Sequence, residues 1–297
     1  MSTETAPGTE GSGTGTDGKE TLRSDLKPIW CPGCGDYAVT AGLEQALTEL
    51  GFESHEVVFV SGIGCSSRLP YFFRTYGFHT IHGRATAVAV GVKMANPDLH
   101  VIVVGGDGDF FSIGTNHFVH AARRNINLTV VCMDNHIYGL TKGQLSPTSH
   151  REFVTASSPY GSVEAPISPL TMALASGATF VAQSYSGKIK HMRETLIAAQ
   201  RHDGFSFVNI RSPCVTFNKV DTFKAYKTRI AITEEDAKAT LADACHYLMS
   251  RPDEEVPLGT FYQVQKPTYD GGWRDLSERT TEKHGIPTLE EILEGFA

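Results

Sequence analysis

Short apolar runs and longer stretches of helical spacing take turns along this chain. The runs at 56–61, 101–104, 128–133, 179–183 and 205–210 carry no charge in their interiors, as in strands covered on both faces. Between them, apolar residues recur at three- and four-residue intervals over 37–50, 85–95, 116–124, 170–175 and 188–201, predicting helices. Gly51 stops the first of these and Asn96-Pro97 the second. Strand and helix in alternation predict an α/β fold, doubly wound around a mostly parallel sheet. Beyond Cys214 the pattern weakens. One helix is expected over 233–250, opened by a capping box of Thr233 and Asp236. Residues 251–297 mix proline, glycine and charge with little periodicity, and read as a C-terminal extension packing on the domain or on a partner. The expected division is a disordered tail over 1–24, an α/β domain over 25–214 and the extension over 215–297. No internal repeat is present.

Composition narrows this picture. Residues 1–20 are almost all Gly, Thr, Ser and acidic, and cannot bury enough surface to offset their ordering entropy. With 297 residues, 40% of them hydrophobic, the remainder can build a large core. A net charge of −7 argues against nucleic-acid binding, which needs a basic face. No apolar stretch reaches the ~20 residues needed to cross a bilayer, and the N-terminus lacks an apolar signal core, so a cytoplasmic location is expected. The stretch 138–165, rich in Gly, Pro, Ser and Thr, is too long for an ordinary connection and reads as a functional or disordered loop.

Candidate chemistry gathers at the ends of the predicted strands. Gly106-Asp107-Gly108-Asp109 follows strand 101–104, and Asn135 follows strand 128–133. Glycine lets the backbone turn and approach a phosphate, while the Asp107 carboxylate and the Asn135 amide are hard oxygen donors suited to Mg²⁺. The plain alternative is a strand-to-helix turn. Cys31 and Cys34 form a C-x-x-C pair, and Cys65 and Cys214 also fall at turns beside strands. Four such thiolates suit zinc or an iron–sulfur cubane, and Trp30-Cys31-x-x-Cys34 also allows a thioredoxin-like redox pair. Cys132, inside a strand, and Cys245, inside a helix, read as small core residues.

The Gly-Asp-Gly segment with Asn135 downstream resembles the thiamine diphosphate motif. Together with Trp30-Cys31-Pro32-Gly33-Cys34-Gly35, Gly62-Ile63-Gly64-Cys65, His82-Gly83-Arg84-Ala85 and 134–144, it resembles the β subunit of the 2-oxoacid:ferredoxin oxidoreductases over residues 26–270, closest to the 2-oxoglutarate type. The resemblance implies a sheet of the thiamine diphosphate-binding (pyrophosphate domain) type. It implies Mg²⁺ on Asp107, Asn135 and the Ile137 carbonyl, and one [4Fe–4S] cluster on Cys31, Cys34, Cys65 and Cys214. Thiamine contacts fall to Ile63, Gly64, Cys65, Ser66, His82, Gly83, Arg84, Gly108, Asp109, Gly139 and Leu140. For His82 a structural role is the alternative, and for Leu140 ordinary core packing. Arg68 and Lys142 are cations that can pair a substrate carboxylate or coenzyme A, or else are solvated surface.

The activity implied is oxidative decarboxylation of a 2-oxoacid, 2-oxoglutarate foremost, to an acyl-coenzyme A and CO₂, with electrons passed through the cluster to ferredoxin. Pyruvate and branched-chain 2-oxoacids remain alternative substrates. Because the chain holds room for one α/β domain, the Glu that activates thiamine is expected on a separate α subunit, in a heterodimer or a dimer of heterodimers. Two rivals stand beside this reading: a non-redox thiamine subunit with a structural zinc, and an electron-transfer or assembly subunit that binds no thiamine.

Overall fold

The computed structural model describes residues 21–233, 237–252 and 254–296. The expected tail over 1–20 lies outside them. Residues 21–24 belong to the domain instead: Leu22 is buried, and Arg23 bridges to Phe73. The described chain begins with α1 (Asp36–Leu50), β1 (Val57–Ser61), a 3₁₀ turn (Ser66–Phe72), β2 (Tyr76–His79), α2 (Ala85–Ala95) and β3 (His100–Gly106). It continues through α3 (Asp107–Phe111), α4 (Thr115–Arg123), β4 (Leu128–Asp134), the small pair β5 (Ile137–Tyr138) and β6 (Gln144–Leu145), α5 (Pro169–Ala175), β7 (Phe180–Tyr185), α6 (Ile189–Arg201) and β8 (Phe205–Arg211). The C-terminal part holds α7 (Phe223–Arg229), β9 (Ile230–Ile232), α8 (Leu241–Met249), β10 (Val256–Gln263), α9 (Tyr269–His284) and α10 (Leu289–Glu294).

Eight strands form one sheet in the order β2-β1-β3-β4-β8-β7-β10-β9, parallel except that β10 runs against β7. Consecutive strand residues face opposite sides, so both faces need cover. Val58, Val60, Val103, Val130 and Phe207 meet α2, α4, α5 and α8 on one face. Phe59, Ile102, Val104, Val131 and Val208 meet α1 and α6 on the other. The expected doubly wound sheet is therefore present. Cys132 is buried in its core and Cys245 packs half-buried against it.

The C-terminal part departs from expectation. α8 starts only at Leu241, where the Thr240 hydroxyl accepts from Asp243 N. Thr233 instead lies beside β10, its N–H donating to Leu258 O at 2.7 Å, and Asp236 lies outside the described residues. Residues 251–297 are more than an extension, because β10 completes the sheet. Pro257 and Gly259 hide this strand from a periodicity reading. A register shift between Thr260 and Tyr262 breaks its alternation as well. Pro257 sits in the half of β10 paired with β9, and its carbonyl accepts from Gln183 Nε2 at 2.7 Å.

Candidate functional site

Loops leaving the carboxyl ends of β1, β3 and β4 open on one edge of the sheet, where ligands of open α/β sheets sit. They enclose a cavity of about 550 Å³. Ile63, Gly64, Cys65 and Ser66 line it from the first loop, Gly106, Asp107, Gly108 and Asp109 from the second, and Asn135, Ile137, Gly139 and Leu140 from the third. His82 and Tyr138 complete the wall with Thr141, Gln144 and Leu145. Of the expected thiamine and substrate contacts, four lie outside the lining. Gly83 donates its N–H to Asp109 Oδ1 at 2.8 Å, behind the wall, and Arg84 Nη1 reaches the Ile113 carbonyl at 3.3 Å. Arg68 stands on the 3₁₀ turn after Cys65, and Lys142 is exposed in a left-handed turn at φ 79°.

Asp109 acts as a brace. Its Oδ1 accepts from Ile63 N (3.1 Å), Gly83 N (2.8 Å) and His82 Nδ1 (2.8 Å), joining three segments behind the cavity. With Nδ1 held there, His82 offers Nε2 to the cavity. Gly108 is required for a reason other than approach to a phosphate: a Cβ there would stand 2.2 Å from the Tyr138 ring, whose hydroxyl donates to the Gly108 carbonyl at 3.1 Å.

Asp107 is 1% exposed, and among the described residues its carboxylate makes no ion pair, the charge of His136 acting on it only from a distance. Oδ2 accepts from the hydroxyls of Ser146 (2.5 Å) and Thr148 (2.6 Å), and Oδ1 has only a long contact, 3.5 Å, from Asn135 N. Asp134 nearby is different, since Arg211 Nη1 lies 2.5 Å from its Oδ2 and His136 Nε2 lies 3.4 Å from Oδ1. These cations overcome the burial of Asp134 and hold its pKa well below the usual range. Burial and the Asp134 charge push Asp107 up to about 6. A buried carboxylate without an ion pair, beside the Asn135 amide oxygen, two hydroxyls and the Ile137 backbone, is a hard-oxygen set that fits Mg²⁺. The long loop thus contributes through Ser146 and Thr148, which sequence reading passed over although it marked the loop.

The shift fixes a pH dependence. The folded pKa of Asp107 stands above its ordinary 3.8, so its ionised form costs stability that is absent below 3.8 and full above about 6. Mg²⁺ relieves that cost only where the carboxylate is ionised. Apparent affinity for Mg²⁺–thiamine diphosphate is therefore expected to be level above about pH 6. Below that it falls roughly tenfold per unit as protons compete. Calorimetric titration between these limits checks this, and a flat profile through pH 6 refutes it.

The segment 135–137 is held from below. His136 adopts a left-handed φ of 58°, and its Nδ1 lies 2.9 Å from Asp221 Oδ2. His150 Nε2 lies 2.9 Å from the same oxygen, and Arg229 Nη1 donates to Oδ1 at 2.9 Å. Asn218 Nδ2 donates both to Asp221 (3.1 Å) and to the Asn135 carbonyl (3.0 Å). Burial opposes a charge on His136, but Asp134 and Asp221 hold its pKa up at about 9. With Arg229 and Arg211 beside these groups, the trio works as a hydrogen-bonded buttress.

The four turn cysteines converge beside the cavity. A Cβ on Gly139 would stand 3.6 Å from both Cys65 Sγ and Cys214 Sγ. Cys34 N donates to the Cys31 carbonyl at 3.0 Å, which closes the C-x-x-C turn. Trp30 Nε1 donates to the Cys65 carbonyl at 2.6 Å, and Gly35 N to the Pro213 carbonyl at 3.3 Å, tying the C-x-x-C turn to the other two loops. Burial and Asp36 push the Cys34 thiol far up, and Cys65 to about 11. A tetrahedral zinc would draw its sulfurs to about 3.8 Å from one another. Among the described residues, the one set of three metal-ligand atoms within 4.8 Å of one another is His136, His150 and Asp221, not these thiols. The four thiols offer ligands for either a zinc ion or an iron–sulfur cluster. Among the described residues no helix is long and apolar enough to cross a membrane.

Comparison with known proteins agrees with this geometry. Residues 62–210 match the family described as thiamine pyrophosphate enzyme, C-terminal TPP binding domain, and residues 214–278 match the C-terminal family of the pyruvate ferredoxin oxidoreductase beta subunit. The fold and the site together define the thiamine pyrophosphate-binding part of an enzyme. The 2-oxoglutarate oxidoreductase subunit KorB of Mycobacterium tuberculosis is 49% identical, across 92% of this chain and 85% of that protein. Subunit beta of 2-oxoacid:ferredoxin oxidoreductase 2 from Aeropyrum pernix is 44% identical, across 90% and 85%. A structure of 2-oxoglutarate:ferredoxin oxidoreductase from Magnetococcus marinus, with 2-oxoglutarate, coenzyme A and succinyl-CoA bound, matches with a TM-score of 0.87 and 45% identity over 93% of this chain and 94% of that one. This chain belongs to the β-subunit family of the 2-oxoacid:ferredoxin oxidoreductases.

Proposed function

We propose that this β subunit serves a 2-oxoglutarate:ferredoxin oxidoreductase, which forms succinyl-coenzyme A and CO₂ from 2-oxoglutarate and coenzyme A while two ferredoxins each take one electron. The observation that carries the reading is the unpaired, buried Asp107 in a cavity that Cys65 and Gly139 also border, with the other thiols beside them. Asp107, Asn135 and the Ile137 carbonyl hold Mg²⁺, with Ser146 and Thr148 fixing the carboxylate. Ile63, Gly64, Cys65, Ser66, His82, Gly108, Gly139 and Leu140 contact thiamine diphosphate. Asp109, through Gly83 and the segment to Arg84, keeps those contacts in place. Cys31, Cys34, Cys65 and Cys214 hold a [4Fe–4S] cluster. Bound thiamine diphosphate supplies a carbon nucleophile and an electron sink, and the cluster a one-electron relay.

Ile63, Ile81, Ile113 and Leu140 are 38%, 70%, 52% and 38% exposed, which supports an apolar rim waiting for the α subunit and its activating Glu. Arg68 and Lys142 stand ready to pair the distal carboxylate or coenzyme A once that wall is closed. Free thiols and an iron–sulfur cluster suit a reducing compartment, the cytoplasm. The test is viologen reduction by the complex reconstituted with its α subunit under anaerobic conditions. The highest kcat/KM is expected with 2-oxoglutarate, and none with this chain alone. A preference for pyruvate or a branched-chain acid would overturn the substrate, and no reduction with any 2-oxoacid would overturn the class.

A further inference from the structure

The geometry points to a docking face for the electron acceptor at the exposed C-x-x-C turn: a surface flanked by Lys27 and Lys219 that fits a small acidic iron–sulfur protein. This rests on the cluster assignment above. Cys65 borders the cavity, whereas Cys31 is exposed, so a cluster on these thiols reaches from the cofactor to the surface within one chain. Two contacts place the lysines beside that turn. Lys219 Nζ donates at 2.7 Å to the carbonyl of Val215, whose side chain lies 3.9 Å from where a Cβ on Gly33 would stand. Lys27 is exposed four positions before Cys31, on a strand of chain tied down by the Tyr37 hydroxyl, which donates to Pro28 O (3.3 Å) and Trp30 O (2.9 Å).

Charge separates this face from the rest of the molecule. The stretches around the thiols (25–34, 62–68, 137–145 and 211–220) hold five Lys and Arg against one acid, Asp25, in a chain with 26 against 33. Arg211 is paired with Asp134 at 2.5 Å and Asp25 with Arg74 at 3.0 Å, which leaves Lys27, Arg68, Lys142 and Lys219 to set the charge of these stretches. Such a local field raises the encounter rate with an acidic partner. Leu26, Ile29 and Val220 are 60%, 66% and 51% exposed in the same segments, and give the small dry contact on which brief redox complexes form. One electron then passes per encounter, from the reduced cluster of the enzyme to the oxidised cluster of the partner.

The experiment uses the complete complex and an oxidised, acidic [4Fe–4S] ferredoxin as probe, with binding followed calorimetrically. In Lys27→Glu/Lys219→Glu the dissociation constant is expected to rise about tenfold at low ionic strength, and the difference to shrink at high salt. Iron content and viologen reduction stay at the wild-type level, because neither lysine touches the cofactors. Unchanged ferredoxin affinity in the variant, with dye reduction intact, overturns the assignment; so does an equal weakening towards basic cytochrome c. If charge reversal lowers the iron content, Lys27→Gln/Lys219→Gln takes its place, with about a threefold rise expected and no change counting against the face. A wild-type complex that reduces no dye overturns the cluster reading itself, a result distinct from the loss of ferredoxin binding alone.

Discussion

Asp107→Ala is expected to yield a folded complex that retains its iron but carries neither Mg²⁺ nor thiamine diphosphate. Asp107 is buried at the cavity and makes no ion pair among the described residues, whereas its neighbour Asp134 has Arg211 and His136. Removing it takes away a desolvated charge, but also the acceptor for the Ser146 and Thr148 hydroxyls. These effects oppose each other, so the melting temperature of the metal-free protein should move little. The difference emerges on adding Mg²⁺ and thiamine diphosphate, which should raise the melting temperature of the wild type and not of the variant. Cofactor affinity should drop by at least the roughly 100-fold that outer-shell changes already cost metal sites, and 2-oxoacid-dependent dye reduction with it. A variant that retains thiamine and turns over at the wild-type rate would refute the metal assignment.

Cys31→Ala should remove the brown colour and leave the cofactor cavity intact. Cys31 is exposed, so its truncation opens no hole in the core, yet it takes away one of four cluster ligands. Iron should fall from about four per chain toward zero, since a cubane needs its thiolates. Retained thiamine diphosphate together with dye reduction lowered at least 100-fold would separate the two cofactor sites cleanly. Cys132→Ala serves as the control, because that sulfur is buried in the core on one face of the sheet and should leave the iron unchanged. Zinc in place of iron, in protein purified without oxygen, would reverse the cluster assignment.

Much of this architecture was legible because its strands are covered on both sides. β1, β3, β4 and β8 must be apolar on every residue that meets a helix layer, which leaves runs such as Val101-Ile102-Val103-Val104 in plain view. Site residues at strand ends were legible for the same reason, since the run that ends at Val104 points to Asp107. Contacts made across the fold left no periodic trace. Ser146 and Thr148 reach Asp107 across 39 and 41 residues from a loop without regular spacing. The Asp221 buttress joins β4, the long loop and α7 through polar groups that look like ordinary surface residues in sequence. Gly108 was noticed for its flexibility, while the Tyr138 ring 30 residues on is what demands it.

The last strand also has a consequence for how the chain is made. β7 is buried along its length, and its outer ladder comes from β10, whose Pro257 meets Gln183 across 74 residues. On the ribosome, that ladder stays unsatisfied until nearly the whole polypeptide has emerged. Nascent chains stalled before residue 256 would present an open, apolar β7 border, the kind of border that recruits other strands. The border of β7 is thus closed by the strand made last, and a chain trimmed near Cys214 would leave it open.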